Sequence, residues 1–334
     1  MSHFGVGLRL VKQLDFSSYA QPVSIAEAKP YFKDLYQRDA LTVVIVAIIA
    51  GLISYNLFAP LLSQPPFVIN TFFLVIGLVV FALLVFSFYK KAVNHAKLAR
   101  MAMANGMVAR FNVPDPNYNG LYFQHGDDRN LQEILEDTGN GLLIGTYQYT
   151  TGSGRSRTQH TLSFARTTLT RKLPHIVLDN VKNNFWKFTN LPTMFSSDQK
   201  LSLEGDFNNT FTLYAPKEYE RDALYVFTPD VMHAFIESGY DIDAEIVDNH
   251  LYVYFDGHYS LENERFLGSV YHIIQKLGHE VEQQTNYYAD ERVANRATNI
   301  VAPMGQRLKS GYSWIVIIIL AYIVLNLVTR LFSN

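Results

Sequence analysis

The sequence predicts a membrane protein with three transmembrane α-helices and a cytoplasmic α+β domain, in which a mainly antiparallel sheet or half-open barrel is packed by a C-terminal amphipathic helix. Three long apolar blocks lie at residues 41–62, 67–88 and 312–332. At 1.5 Å per residue, each of the first two covers the roughly 30 Å of a bilayer's hydrocarbon layer. Residues 89–311, between the second and third blocks, have the mixed polar, aromatic and charged composition of a globular domain with a helical linker at its start.

Residues 1–40 are expected to form a cytoplasmic N-terminal segment with a short interfacial helix. Ser24 followed by Glu27 is the pattern of a capping box, which satisfies free N–H groups at a helix start. Pro30, inside this helix, is expected to kink or shorten it.

The first two apolar blocks are expected to form an antiparallel helical hairpin over residues 41–88. Only residues 63–66, which include Pro65 and Pro66, connect them. The third block carries Trp314 and Arg330 near its ends, residue types that anchor helices at a membrane interface.

Lysine and arginine are concentrated on one side of the blocks, and the hairpin tip has neither. The flanking residues are Lys29, Lys33, Arg38, Lys90, Lys91, Lys97, Arg100, Arg307 and Lys309. Because cytoplasmic loops carry an excess of these residues, the N-terminus and the 89–311 domain are expected to face the cytoplasm from the plasma (inner) membrane of a bacterium.

The pattern of the domain changes from helix to strand along the chain. Residues 90–107 favour a helix that ends near Asn105-Gly106, and residues 131–135 favour a short helix. Residues 142–150 and 161–169 then alternate with period two, which predicts a β-hairpin with a long flexible tip.

Short β-prone runs and a second hairpin are expected beyond this point. The runs are 175–178, 201–204, 210–214 and 224–227, separated by Pro, Gly, Asn or Asp. Thr228-Pro229-Asp230 is a helix start, and that helix is expected to end at Gly239. Residues 244–247 and 251–255 then favour a hairpin that turns at Asp248-Asn249.

The last part of the domain predicts a long amphipathic helix that packs the sheet. Its apolar residues recur at helical spacing and comprise Phe266, Val270, Ile273, Ile274, Leu277 and Val281. An antiparallel sheet covered by this helix is therefore the expected architecture.

Several motifs resemble those of a known bacterial family. They are Leu173-Pro174-His175-Ile176-Val177-Leu178-Asp179, Glu204-Gly205-Asp206-Phe207-Asn208, Phe211-Thr212-Leu213-Tyr214-Ala215-Pro216, Glu220-Arg221-Asp222-Ala223-Leu224 and Phe227-Thr228-Pro229-Asp230. Together they resemble the membrane-protein family labelled domain of unknown function three-one-three-seven, over roughly residues 139–255 and the helical hairpin. That family has no established activity, so the resemblance implies no catalytic residue.

Composition excludes several classes of site. The formal net charge is -2, whereas nucleic-acid binders usually carry a strongly basic domain, so no nucleic-acid partner is expected. Cysteine is absent from the sequence, which excludes disulfides and thiolate chemistry. The phosphate-binding, dinucleotide-binding and zinc-protease motifs are missing, and no cofactor or metal is predicted.

Two groups of carboxylates are candidates for a metal site or a catalytic site. Asp241, Asp243 and Glu245 occupy alternate positions, so on a strand their side chains share one face. That face either binds a hard cation or is simply solvated, and the solvated face is the favoured interpretation. The acidic residues of the family-like motifs are Glu204, Asp206, Glu220 and Asp222. These could act in acid–base catalysis, but their sequence context favours turns.

A basic group surrounds the first hairpin. Arg155 and Arg157 lie at its tip, and Arg166, Arg171 and Lys172 follow. Such residues bind phosphate or anionic lipid headgroups, although a basic hairpin tip is more often an ordinary surface loop. These five are the predicted contact residues for lipid or a protein partner.

The leading functional hypothesis is a membrane-tethered cytoplasmic interaction or scaffold module without catalysis. Its expected partners are the lipid bilayer and a protein in the membrane or cytoplasm, because double anchoring raises the effective concentration of a binding domain. Two alternatives stay open: an accessory subunit of a membrane transport complex, and a membrane-bound enzyme with an acidic site.

Overall fold

A computed structural model describes most of the chain in two compact units. The described residues are 13–35, 67–184, 189–203, 207–257, 259–296, 298–311, 322, 323 and 326, with the backbone alone for 67–78 and 81. One unit is Asp15–Gly106, and the other comprises Met1–Leu14 and Met107–Asn334.

The Asp15–Gly106 unit contains helix α1, residues 25–35, and helix α2, Phe67–Ala104. The predicted capping box is present, because Ser24 N–H donates to Glu27 Oε2 at 2.9 Å and Glu27 N–H donates to Ser24 Oγ at 3.3 Å. At the end of α2, the Asn105 amide accepts from Asp15 N–H at 2.8 Å and donates to Asp15 C=O at 2.9 Å. This amide pairing joins the two ends of the unit.

The prediction of a three-span membrane protein is contradicted. Among the described residues, none of the helices combines the length and the apolar character needed to cross a bilayer. The second predicted span, 67–88, falls in α2, and only part of its side chains belongs to the described residues.

The predicted transmembrane helices and the multi-pass plasma-membrane location with a cytoplasm-facing domain are contradicted by the same finding. The first predicted span, 41–62, lies outside the described residues. Of the third, 312–332, the structure describes only positions 322, 323 and 326.

The second unit is built on an antiparallel sheet. Its strands are β1 (Val108–Pro114), β2 (Asp127–Asp137), β3 (Leu142–Thr151), β4 (Thr158–Asn180), β5 (Lys200–Leu201), β6 (Phe211–Tyr214) and β7 (Ile242–Phe255). The order is β1-β2-β3-β4-β6-β5, and β7 pairs with β4. The predicted β3–β4 hairpin is confirmed, and it aligns Leu142 with Thr167.

Strand β4 organises the sheet because each of its halves has two neighbours. Residues 158–167 pair with β3, and 163–168 also pair with residues 250–255 of β7. After a register shift between Thr168 and Leu173, the second half of β4 pairs with β6 on one side and with residues 244–248 of β7 on the other.

Strand β7 doubles back on itself between these two halves of β4. Asp256 N–H donates to the Asp241 carbonyl at 3.2 Å, so the residues just outside the two ends of β7 are adjacent. The reversal occurs at Asp248, whose φ of 55° lies in the left-handed region that Asp tolerates better than most residues. The predicted hairpin at Asp248-Asn249 is therefore present, and the bend of β4 encloses it.

Helices cover one face of the sheet. They are α3 (Phe207–Thr210), α4 (Glu220–Val226), α5 (Pro229–Ile236) and α6 (Glu264–Thr285). All six apolar residues predicted for the last helix are buried, and Phe266 packs on Phe255 of β7 with ring centroids 5.6 Å apart. Gly278 of α6 allows close approach to β4, since a Cβ there would lie 2.8 Å from Thr167 Cγ2.

An aromatic cluster covers the opposite face. The short 3-10 turn Leu121–Gln124 inserts Phe123, whose ring centroid lies 4.6 Å from that of Tyr147 and 4.8 Å from that of Phe164. Phe123 also contacts Tyr254, the chain neighbour of Phe255. Successive side chains of a strand point to opposite faces, which explains how β7 contributes to both layers.

Two local predictions are wrong for a physical reason. Residues 131–135 belong to β2, where a bulge between Leu131 and Glu133 places Leu131 and Ile134 on one face and imitates helical spacing. Residues 224–227 lie in and beside α4, where Leu224 is exposed and Val226 is buried.

The segment 298–311 crosses the sheet and is held by backbone contacts. The Gln199 amide donates to Lys309 C=O at 2.7 Å and accepts from Lys309 N–H at 2.8 Å. Gly311 N–H donates to Met194 C=O at 2.8 Å. These bonds give an irregular segment the partners that its backbone groups require.

Replacing Asn263 with Ala should destabilise the second unit by about 1 kcal/mol, because the Asn263 side chain caps α6. Its Oδ1 accepts from Arg265 N–H at 3.1 Å and from Phe266 N–H at 3.2 Å. Denaturant unfolding measures the effect, and Asn263→Asp, which keeps the acceptor, is the matched control. An alanine variant as stable as the aspartate variant would contradict this role.

Candidate functional site

The five basic residues predicted to contact lipid or a partner begin at the tip of the β3–β4 hairpin. Arg155 is exposed there in a short 3-10 turn, Gly154–Ser156. Arg157 is also exposed but forms an ion pair with Asp128. The tip therefore presents one arginine without an ion pair among the described residues and one that is partly neutralised.

The other three basic residues lie elsewhere. Arg166 is about nine residues further along β4, or roughly 30 Å, and its guanidinium carbon is 4.8 Å from the Tyr118 ring centroid. Arg171 and Lys172 lie in the bend of β4, where Arg171 Nε donates to Asn286 C=O at 3.0 Å. The structure thus distributes the five residues over three places and does not assemble one anion site from them.

The acidic residues of the family-like motifs also separate. Glu204 and Asp206 lie outside the described residues. Glu220 is exposed at the start of α4, whereas Asp222 accepts from Arg292 Nη2 at 2.9 Å. The two described members therefore do not converge on a cavity, which an acid–base pair requires.

Arg292 connects α4 to the segment that follows α6. Besides Asp222, it pairs with Asp290 at 3.2 Å, and its guanidinium carbon lies 3.9 Å from the Tyr219 ring centroid. Burial raises the pKa of Asp290, but hydrogen bonds from Ala302 N–H and the Tyr219 hydroxyl outweigh it and keep the pKa below its ordinary value. Asp222 is thus part of a structural anchor.

A groove of about 190 Å³ lies between α5 and α6. Ala234, Ile273 and Leu277 contribute buried apolar side chains, and the remaining lining residues are Glu237, Ser238, Tyr240, Ser269, His272 and Lys276. Glu237 and Lys276 form an ion pair at 2.8 Å. This α5–α6 groove has an apolar floor and a polar, almost neutral rim.

The opposite face of the sheet contains a buried carboxylate network around Glu245. Its Oε2 accepts from the Tyr254 hydroxyl and from Leu121 N–H, each at 2.6 Å, and its Oε1 lies 2.9 Å from His175 Nε2. His175 Nδ1 accepts from Leu308 N–H at 2.9 Å, so Nε2 carries the proton that bonds Glu245. Glu245 has three donors, which satisfies a buried carboxylate.

The favoured interpretation of Asp241, Asp243 and Glu245 as a solvated strand face is wrong. Asp241 is exposed, but Asp243 and Glu245 are 2% and 1% exposed. Both faces of β7 are covered, one by α6 and the other by the aromatic cluster and the 3-10 turn. Period-two alternation shows which side chains share a face, and only packing decides whether that face meets water.

A second pair of carboxylates lies beside this network. Continuing the register from Leu178 and Ala244 places Asp179 opposite Asp243, and both are 2% exposed. Asp243 accepts from Asn180 N–H at 2.8 Å. Burial raises the pKa of Asp179 to about 6 and that of Asp243 to about 7, and the charge of Asp179 contributes to the second shift.

Among the residues that the structure describes, no three His, Cys, Asp or Glu side chains are grouped to hold a metal ion. The Asp179–Asp243 pair has two carboxylates, and the hydrogen bonds that they accept come from backbone and side-chain amides. Lys200 lowers the pKa of Asp179, but less than burial raises it. The pair therefore brings two mutually repelling carboxylates together in the interior of the domain.

Sequence reasoning identified Asp243 and Glu245 as one face but missed their partners. His175 and Asp179 occupy alternate positions of a β-prone run, with Val177 between them, and that pattern could have signalled a second polar strand face. The α5–α6 groove had no comparable signal, because its walls belong to helices whose spacing only the fold determines.

Comparisons with known proteins found little resemblance. No family model matches the chain, and a search of curated proteins found no match. Among solved structures, the crystal structure of the mycobacterial trehalose monomycolate transport factor A, TtfA, is similar over 54% of this chain and 89% of that chain, with 9% identity and a TM-score of 0.35. That similarity is too low to support an argument about function, and the family resemblance stays a prediction.

The Asp243→Asn variant should gain stability relative to the wild type as the pH rises from about 4 to about 7. Both folded-state pKa values lie above the unfolded value of about 3.9, so the folded state binds these protons more tightly. The stability that the pair contributes is present at low pH and is lost as pH rises through about 6 and 7.

The free energy of unfolding, measured from pH 4 to 8, tests this prediction. The difference between variant and wild type should reach a few kcal/mol, on the order expected for shifts of this size. Glu291→Gln, an exposed control in an ion pair with Arg296, should show no such trend. A pH-independent difference for Asp243→Asn would show that the pair is not strained.

Proposed function

We propose that this protein is an interaction module that binds a partner protein through the α5–α6 groove. The observation that carries the proposal is the buried apolar floor of Ala234, Ile273 and Leu277 beneath a rim of hydrogen-bonding side chains. Apolar floors with polar rims are typical of the pockets that receive anchoring side chains at protein interfaces.

The size of the groove favours a side chain over a small-molecule substrate. At about 190 Å³ it is smaller than the roughly 300–1,000 Å³ of most ligand pockets. One large apolar or aromatic side chain from a partner is an occupant of suitable size. Burial of such a side chain contributes about 1.5–3 kcal/mol, which is a substantial share of a modest interface.

The rim indicates what surrounds that side chain in the partner. Ser238, Ser269 and His272 supply donors and acceptors, while the charges of Glu237 and Lys276 neutralise each other. A partner selected by this rim presents backbone or uncharged polar groups beside its apolar anchor. A strongly charged partner of either sign would gain little binding free energy from this nearly neutral rim.

Site-specific photo-crosslinking of the full chain in cells tests the proposal. With a benzophenone amino acid at His272, which is exposed on the rim, we expect a discrete protein adduct. The same probe at Gln283, exposed about three turns further along α6, is the matched control and should yield at least tenfold less adduct. A probe at Arg155 examines the predicted contact at the hairpin tip in parallel.

A second variant connects the adduct to the groove itself. Ser269→Trp places an indole in the groove from a half-buried position on α6, and it should abolish the adduct at His272 while the thermal midpoint stays unchanged. An adduct that survives the filled groove, or equal adducts at His272 and Gln283, would contradict binding at this place.

A further inference from the structure

The Asp179–Asp243 pair contains buried oxygen atoms that lack hydrogen-bond donors. Asp179 Oδ1 and Asn183 Oδ1 are fully buried and have no donor among the described residues. Unsatisfied buried acceptors are rare in folded proteins, because each loses its bonds to water without replacement. Asp179 Oδ1 belongs to the carboxylate opposite Asp243, and Asn183 Oδ1 belongs to the amide whose Nδ2 contacts Asp243, so both acceptors adjoin the same pair of carboxylates.

The amide of Asn183 can turn its oxygen toward the same point. Its Nδ2 now lies 3.2 and 3.1 Å from the two carboxylate oxygens of Asp243. A half-turn about the last side-chain bond exchanges Nδ2 for Oδ1 in nearly the same volume. With a cation present, this rotation replaces a donor by a further ligand oxygen.

Further oxygen atoms come from Thr189 and Asn190. The side chains of Thr189 and Asn190 lower the pKa values of Asp179 and Asp243 respectively, which places them in the neighbourhood of the two carboxyl groups. The neighbourhood therefore offers two carboxylates, amide oxygens and a hydroxyl. Among the described residues no histidine is hydrogen-bonded to the pair, and the sequence has no cysteine, so transition-metal chemistry is not favoured.

We propose that Asp179, Asp243 and Asn183 form a binding site for one hard divalent cation, with calcium as the best match. Two carboxylates neutralise its charge, and calcium accepts six to eight oxygen ligands in irregular arrangements that include amide carbonyls. Magnesium is less suitable because it requires near-octahedral geometry and usually retains several waters, for which a buried site leaves little room.

Terbium luminescence of the full chain, after removal of metals with EDTA, tests the site at pH 8. Tyr122 is a suitable sensitiser, since burial and then the charge of Asp243 raise its pKa, which shows that the ring lies near the pair. We expect saturable emission that excess Ca²⁺ displaces. Asp179→Asn and Asp243→Asn should each weaken terbium binding at least tenfold, whereas Glu237→Gln, on the opposite side of the sheet, should not change it.

Thermal unfolding separates loss of the site from loss of the fold. Replacing either carboxylate removes repulsion between like charges, so both variants should melt at or above the wild-type temperature in EDTA. CaCl₂ at pH 8 should then raise the melting temperature of the wild type but not of the variants.

Two results would overturn the inference. One is terbium emission that is absent, or that has equal affinity in the wild type and both variants. The other is a wild type that gains its full stability from acidification to pH 5 and none from CaCl₂ at pH 8, because the pair would then hold a proton in place of a cation.

Discussion

The structure depends on the pairing of β4 with a β7 that doubles back inside it. Because Asp256 N–H meets the Asp241 carbonyl, the two halves of β7 run side by side, and each half pairs with one half of β4. That arrangement aligns polar side chains from distant parts of the chain on one face. It also gives α6 a continuous apolar surface on the other face, so both candidate sites originate from one topological constraint.

The buried carboxylates of the sheet differ in how well they are hydrogen-bonded. Glu245 receives three hydrogen bonds, including one from His175, which in turn binds the backbone of Leu308 and fastens the segment that crosses the sheet. Asp179 and Asp243 face each other with fewer donors and raised pKa values. Burying a charge costs little free energy only when the charged group is fully hydrogen-bonded. The Glu245 network therefore stabilises the fold, whereas the Asp179–Asp243 pair is destabilising unless a proton or a cation reduces the repulsion between its two charges.

The α5–α6 groove and the carboxylate pair lie on opposite sides of the sheet. Phe255 packs under α6, whereas its neighbour Tyr254 bonds Glu245 on the other side. The groove opens at the surface between α5 and α6, whereas the pair is buried in the interior next to Asn180. Their separation means that partner binding and cation binding are independent hypotheses, each with its own experiment.

Local pattern determined the β3–β4 hairpin, the reversal at Asp248, the cap of α1 and the buried face of α6, because each depends on neighbouring residues in the chain. Pattern failed at Leu131 and Ile134, where a bulge imitates helical spacing, and it predicted membrane spans that the described residues contradict. Only the tertiary structure placed Asp179 opposite Asp243, separated Arg155 from Arg166 and opened the groove. Those relations join residues far apart in sequence, and their distances follow from strand register and helix packing, which no local period encodes.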